Sequence, residues 1–258
     1  MSTTKPMFAE ERKEQIIKMV NEHEKIYVPE MSKLFNVSAA TIRNDLNELE
    51  KSGRLIRTHG GAISIQNSGL ELNTEQKKIK NINSKYLIAQ EALELIQDDD
   101  IILMDTGTTT YQLATLLKDK RNVTIITNDI EIALELEEVT GLNVILVGGM
   151  LRKGFHCTLG PFANKFLSEI SVDKAFIATN GIDIETGLYT PDTNQAAIKE
   201  NMISCAREKY LVCDSSKFGR KSFTKFANIS DFDMIITDSY IEDEDYDQIC
   251  KYTKVIKA

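Results

Sequence analysis

Residues 105–110 read Asp-Thr-Gly-Thr-Thr-Thr. They follow a short apolar run, Ile101–Met104, and lead into a helical pattern. A flexible glycine, three hydroxyls and the unpaired N–H groups of a helix start can together cradle an oxyanion. Other apolar runs end in comparable chemistry. The next ends in Thr127-Asn128-Asp129 and the third in Gly148-Gly149. Asn180-Gly181 follows the fourth, and Asp214-Ser215-Ser216-Lys217 the fifth. Hydroxyls, an amide, glycines and a lysine suit a phosphorylated polyol. The stretches carry weight together because they recur at the same end of successive runs. The chain has neither GxxxxGK(S/T) nor GxGxxG, so a nucleoside triphosphate or dinucleotide site has no motif support. His156 beside Cys157 does not make a catalytic pair, since adjacent side chains rarely face each other and no orienting acid is evident.

A second set of residues suits a different polymer. Residues 28–63 read as a helix, a tight turn, a second helix and a short basic hairpin. Ile42, Leu46 and Leu49 are spaced as one buried stripe. Ala40, Asn44 and Asn47 then point the opposite way, flanked by Thr41 and Arg43. Short residues let such a helix approach a major groove, where Asn pairs with adenine edges and Arg with guanine edges or phosphates. Ser38 caps the helix after the turn Asn36-Val37-Ser38, and Gly53 ends it. Arg57 and His59, on the hairpin around Gly60-Gly61, reach phosphate or the minor groove. This order is that of a winged helix-turn-helix reading double-stranded DNA. The candidate DNA-contacting residues are Ser38, Ala40, Thr41, Arg43, Asn44, Asn47, Arg57 and His59.

The elements that must position these groups are legible in outline. Residues 8–23 predict a first helix, with Ile16, Ile17 and Val20 at helical spacing. Pro29 opens the second helix, which turns Met31, Leu34 and Phe35 inward. Residues 66–76 are polar and weakly patterned, a linker between a head at 1–65 and a larger domain at 77–258. One long helix is predicted over 74–97, with Ile79, Ile82, Tyr86, Ala89, Leu93 and Ile96 inward. Apolar runs at 101–104, 123–127, 144–147, 175–178, 210–213 and 234–237 alternate with helical stretches near 110–118, 129–139, 162–169 and 194–208. That alternation predicts an α/β domain with a mostly parallel sheet covered on both faces, whose ligands bind at the carboxyl ends of the strands.

Composition sets bounds on these readings. The 258 residues are 42% hydrophobic and 27% charged, enough for a real core and too balanced for disorder. The net charge of −8 is unevenly spread: residues 1–60 hold ten Lys/Arg against nine Asp/Glu, and the remainder 21 against 30. Acids gather at Glu10, Glu11, Glu14, Glu22 and Glu24, while Arg43, Lys51, Arg54, Arg57 and His59 gather late in the head, on the expected DNA side. The acidic remainder is not expected to touch DNA. No apolar run spans a membrane and the N-terminus has no secretory pattern, so a cytoplasmic protein is expected. Cysteines at 157, 205, 213 and 250 lack metal or redox spacing and read as free buried thiols. No metal or cofactor is expected.

With both halves laid out, the chain resembles the DeoR family of bacterial sugar-metabolism regulators over nearly its whole length. The matching segments are LFNVSAATIRNDLNELE and RTHGGA in the head. In the larger domain they are DTGTTT, IITN, LVGG, DKAFIATNGID, GLYTPD and DSSKFGR. The resemblance implies a winged helix-turn-helix joined to a sensor domain similar to ribose-5-phosphate isomerase, glucosamine-6-phosphate deaminase and coenzyme A transferases. Regulators of this type usually repress operons for sugar uptake and catabolism until a phosphorylated sugar or sugar alcohol relieves them. By that resemblance Asp105, Gly107, Thr108, Thr109 and Thr110 hold the effector phosphate, and Asn128, Gly149, Lys199 and Lys217 line the rest of its pocket. Two departures stand out. The family usually has two arginines after Thr-Ile, where this chain has Arg43-Asn44, and Thr179-Asn180-Gly181 is a variant of a small-residue stretch. The alternative, an isomerase- or deaminase-type enzyme with a DNA-binding head, needs a carboxylate or histidine base beside a substrate carbon, and no such constellation is evident. Reading two operator half-sites requires a homodimer or homotetramer.

Overall fold

In a computed structural model, residues 8–23, 25–51, 54–58, 60–63, 71 and 73–258 are described. Gly53, His59 and most of the linker lie outside them. The chain divides into two compact units, residues 1–76 and 77–258.

The first unit runs α1 (Ala9–His23), β1 (Lys25–Tyr27), α2 (Val28–Phe35), α3 (Ala39–Lys51), β2 (Ile56–Thr58) and β3 (Gly61–Ile63). Pro29 sits in the first turn of α2, where its missing N–H is no loss. Asn36 ends that helix at φ +51°, and Ser38 Oγ accepts the Thr41 N–H at 3.1 Å to cap α3. Ile42, Leu46 and Leu49 pack against Ile16 and Val20 of α1 and Met31 of α2. Leu34, expected inward, is 58% exposed. The buried stripe of this short helix is Val28, Met31 and, in part, Phe35, and Leu34 falls beside it. Beneath the stripe, Arg12 grips Asp45 through two hydrogen bonds of 2.6 and 3.0 Å in a buried pair that fastens α1 to α3. The wing gains a strand that the sequence does not announce: β3 lies between β1 and β2. A Cβ at Gly61 would stand 1.8 Å from the Ile26 carbonyl oxygen, so only glycine allows β1 to approach.

The predicted long helix over 74–97 is two helices, α4 (Thr74–Ile79) and α5 (Ile82–Glu94). The break falls at Lys80 and Asn81, where Asn81 adopts φ +52°. Lys85 stabilises the corner by donating from Nζ to the carbonyls of Lys77 and Lys80. The break resets the helical phase. Lys85, Ile88, Ala89, Ala92 and Ile96 are buried, whereas Ile79, Ile82 and Tyr86, expected inward, are exposed.

The second unit continues β4 (Ile101–Met104), α6 (Thr108–Thr115), β5 (Val123–Thr127), α7 (Ile130–Leu136), β6 (Leu142–Leu146), β7 (Met150–Arg152), β8 (Cys157–Leu159), α8 (Pro161–Ser168) and β9 (Val172–Ile177). After these come β10 (Gly181–Asp183), β11 (Gly187–Thr190), α9 (Thr193–Cys205), β12 (Ala206–Val212), β13 (Thr224–Ala227), β14 (Met234–Thr237), α10 (Asp243–Ile249) and β15 (Lys254–Lys257). Seven strands form one sheet in the order β15-β14-β12-β9-β4-β5-β6, and every pairing is parallel. One core lies on each face, which explains why the strands read as continuous apolar runs. Two small antiparallel sheets, β7-β8 and β10-β11-β13, sit outside it. The strands of these two small sheets, three or four residues each, contain no continuous apolar run of the kind that marks β4 or β14, and α10, Asp-Glu-Asp-Tyr-Asp-Gln-Ile, has no apolar stripe. The expectation of four buried thiols holds only for Cys157 and Cys213. Cys205 is half-buried, and Cys250, just past the end of α10, is exposed.

Candidate functional site

The strand order reverses direction between β4 and β9, the two strands that start opposite halves of the sheet. In such sheets the crevice beyond the carboxyl ends at this reversal is where ligands sit. Asp105 stands there, immediately after β4, fully buried. Its Oδ2 accepts the Ala178 N–H at 2.9 Å and an ion-paired hydrogen bond from Lys199 Nζ. Lys199, on α9 and 1% exposed, also donates to the Ala178 carbonyl at 2.8 Å. The pair ties the first strand of the reversal to the loop after the second. The structure thus gives Asp105 a different part from the sequence expectation of phosphate contact: a carboxylate has no donor for an anion, and this one fixes Lys199 and the loop.

Gly107 starts α6 without any side-chain cap. By contrast, Asp129 caps α7 through the N–H groups of Glu131 and Ile132, and Asp192 caps α9. The N–H groups of Thr108, Thr109 and Thr110 therefore open α6 at the reversal point without a side-chain cap. A Cβ on Gly107 would lie 2.9 Å from the Ala178 Cβ, so the loop comes this close to β9 only with glycine. Thr110 Oγ1 donates to the Gly107 carbonyl at 2.8 Å.

Asn128 and Gly149 serve packing in this structure. Asn128 Nδ2 donates to the Thr158 carbonyl at 2.9 Å from a fully buried side chain. Gly149 lets the β7-β8 hairpin close, since a Cβ there would stand 2.5 Å from the Leu159 carbonyl oxygen. Beside them, burial together with Asp129 pushes the Cys157 thiol up to about 12, which removes it as a nucleophile at neutral pH.

The end of β12 brings Lys217, expected in the pocket, together with Lys80, Lys85 and Arg220, which sequence reading missed. Lys217 lies in a short 3-10 turn that Asp214 begins by accepting the Ser216 N–H at 3.1 Å. Asp214 also accepts from Asn81 Nδ2 at 2.8 Å, which brings the α4–α5 corner to this strand end. Burial alone would raise Asp214; Lys217, Ser216, Asn81 and Lys85 bring it below the ordinary carboxylate range. Burial also lowers Lys80, and Arg220 and Lys217 add to the effect by repulsion. Burial lowers Lys85 to about 8. Lys80, Lys217 and Arg220 thus converge with no ion pair of their own among the described residues. The only signal for this in sequence is the density of Lys and Arg at 77–85 and 217–221, which looks like ordinary solvated charge.

In the first unit, Ala40, Arg43 and Asn44 are exposed on α3, opposite its buried stripe, with Thr41 and Asn47 at the margins. The wing folds back on this helix: Arg57 donates from Nη1 to Asn47 Oδ1, and its own N–H donates to Glu50 at 3.0 Å. Arg54 was expected on the DNA side, but its guanidinium is held by Glu14 at 2.7 and 3.1 Å. No helix among the described residues is long and apolar enough to cross a membrane.

Comparison with known proteins covers both units. A family model described as the DeoR-like helix-turn-helix domain matches residues 12–68, and one described as the DeoR C-terminal sensor domain matches residues 80–239. The HTH-type transcriptional regulator GlpR of Haloferax volcanii is 36% identical over 94% of this chain and 95% of its own. A putative aga operon transcriptional repressor of Escherichia coli O157:H7 is 35% identical over 90% of this chain and 87% of its own. The transcriptional repressor AccR of Agrobacterium fabrum is 32% identical over 89% and 90%. Among solved structures, ribose 5-phosphate isomerase A of Methanocaldococcus jannaschii aligns at 19% identity and a TM-score of 0.40, covering 54% of this chain and 55% of that one. That likeness carries no inference about activity.

Proposed function

The chain belongs to the DeoR family of transcriptional regulators, and on that premise we propose that it represses an operon for carbohydrate uptake or catabolism until a phosphorylated sugar or sugar alcohol binds its sensor unit. The observation that carries this reading is the uncapped start of α6 at the reversal of the sheet. A helix N-terminus with free N–H groups and neighbouring hydroxyls favours a phosphate. Thr108, Thr109 and Thr110 then hold the phosphate, with Gly107 letting the loop approach β9. Asp105 and Lys199 act as positioning residues behind it. Lys217 with Lys80 and Arg220 supplies positive charge two strands away, roughly 10 Å at the usual strand spacing, a span that suits a ligand of sugar-phosphate length.

In this reading α3 enters the major groove of operator DNA with Ala40, Thr41, Arg43, Asn44 and Asn47, while Ser38 caps it and Arg57 steadies Asn47 from the wing. The sealed Asp105–Lys199 pair has no access to a substrate carbon, so the site acts by binding rather than turnover. The test is thermal unfolding of the full chain against a panel of phosphorylated sugars and sugar alcohols. A ligand at about 100 times its dissociation constant adds roughly 2.7 kcal/mol when it binds only the folded state. One selective hit is expected. Turnover of that compound, or no stabilisation anywhere in the panel, would refute the proposal.

A further inference from the structure

The two open edges of the seven-stranded sheet differ. β15 reads Lys-Val-Ile-Lys, and charges at an edge discourage pairing with another strand. β6 reads Leu-Asn-Val-Ile-Leu, and from Leu142 through Leu151 ten consecutive residues carry neither charge nor proline. Among the described residues, β6 pairs only with β5. The Val147 N–H continues that ladder to the Thr127 carbonyl at 2.8 Å, so by alternation the backbone groups of Val144 and Leu146 face outward.

The side chains there are apolar and open. Ile145, Leu146, Met150 and Leu151 are 41, 45, 67 and 52% exposed. Ile145 and Leu146 fall on opposite faces of the sheet, so both rims of the edge are greasy. Together the four expose on the order of 400 Å², about half of the ~800 Å² that each partner of a stable interface contributes.

Charge and edge symmetry allow a second copy of this chain as the occupant. Past residue 60 the protein holds 30 acids against 21 bases, so two copies repel over most of that surface. This uncharged strip lets them meet without opposing like charges. A strand edge also complements itself when turned about a two-fold axis, as an antiparallel pair. We infer that β6 and the β7 ribbon form the interface with a second copy of this chain, the two sheets continuing into one through an antiparallel β6–β6 pair. The choice of a second copy leans in part on the DNA reading above, because two operator half-sites call for two heads.

Sedimentation of the full chain, without DNA or effector, tests this. The wild type is expected to be oligomeric, and Ile145→Lys is expected to halve the mass with an unchanged circular dichroism spectrum. Met150→Lys, at a position two-thirds exposed, gives the same readout should the first variant fold poorly. Mixing Ile145→Lys with Ile145→Glu is expected to restore the larger species, which mere loss of stability does not predict. A monomeric wild type, an unchanged mass in both folded variants, or no recovery on mixing overturns the interface. The mass is read without ligand, so such a result leaves DNA and sugar-phosphate binding to their own assays.

Discussion

On the proposed reading, Arg43 and Thr108 are the two side chains whose replacement separates DNA binding from effector binding. Arg43 is exposed on α3 and makes no ion pair among the described residues, whereas Arg54 and Arg57 are already held by Glu14 and Asn47. Arg43→Ala is expected to weaken specific DNA binding by about 1–3 kcal/mol, read by fluorescence anisotropy, with effector stabilisation unchanged. Thr108→Val is expected to weaken effector binding at least tenfold in calorimetry and to leave a protein that stays on DNA when the effector is added. Lys85 carries a pH signature. Its folded value near 8 lies below the unfolded 10.5, so between those values the unfolded chain holds more protons. This group therefore makes the protein more stable as the pH rises through that window, and below about 8 its buried charge is a standing cost. The slope is at most about 1.4 kcal/mol per pH unit. Chemical denaturation from pH 7 to 10 should show it in the wild type and not in Lys85→Met.

Among the elements, α3 and the α6 start depend on different supports. α3 is anchored to α1 by the buried Arg12–Asp45 pair as well as by its apolar stripe. Removing one member leaves an uncompensated buried charge. Asp45→Ala is thus expected to destabilise the head by about 3 kcal/mol, seen as a lower melting transition of the first unit. The α6 start is set by the sheet: β4 and β9 are neighbours, Asp105 accepts from Ala178, and Gly107 fits against Ala178.

For the whole molecule, the proposed reading makes effector and operator two ligands of one oligomer. Coupling of about 1–3 kcal/mol between them changes operator affinity roughly 5- to 150-fold. The same linkage requires DNA to weaken effector binding by an equal factor, which calorimetry with and without operator can check. If the β6 edge joins two copies, Ile145→Lys is expected to lower affinity for a two-half-site operator while leaving binding to a single half-site unchanged. Gel-shift titration of the two DNAs distinguishes that outcome from damage to the head itself.

What the sequence determined by itself is what depends on local pattern. The stripe Ile42, Leu46, Leu49 identified α3 and its outward face. The apolar runs identified six of the seven parallel strands, three of them (β4, β5 and β14) to the residue, because a strand buried on both faces must be apolar throughout; β15, Lys-Val-Ile-Lys at the edge, has no such run and went unread. The Asp-Thr-Gly-Thr-Thr-Thr loop marked where a strand gives way to a helix, because glycine and hydroxyl residues break an apolar run locally. Tertiary structure decided everything that rests on partners distant in sequence. Asp105 and Lys199 are 94 residues apart, and no spacing rule links them. Lys85 was hidden because a lysine inside an apolar pattern reads as a break in the stripe. It is buried only because Asn81 turns the chain and presents two carbonyls for it to cap. Asn128 and Gly149 read as ligand groups because amides and glycines serve ligands and tight packing alike, and their packing against Thr158 and Leu159 became visible only with the β7-β8 hairpin in place. Leu34 read as core because an eight-residue helix has room for one stripe, and the direction of its neighbours chose Val28, Met31 and Phe35.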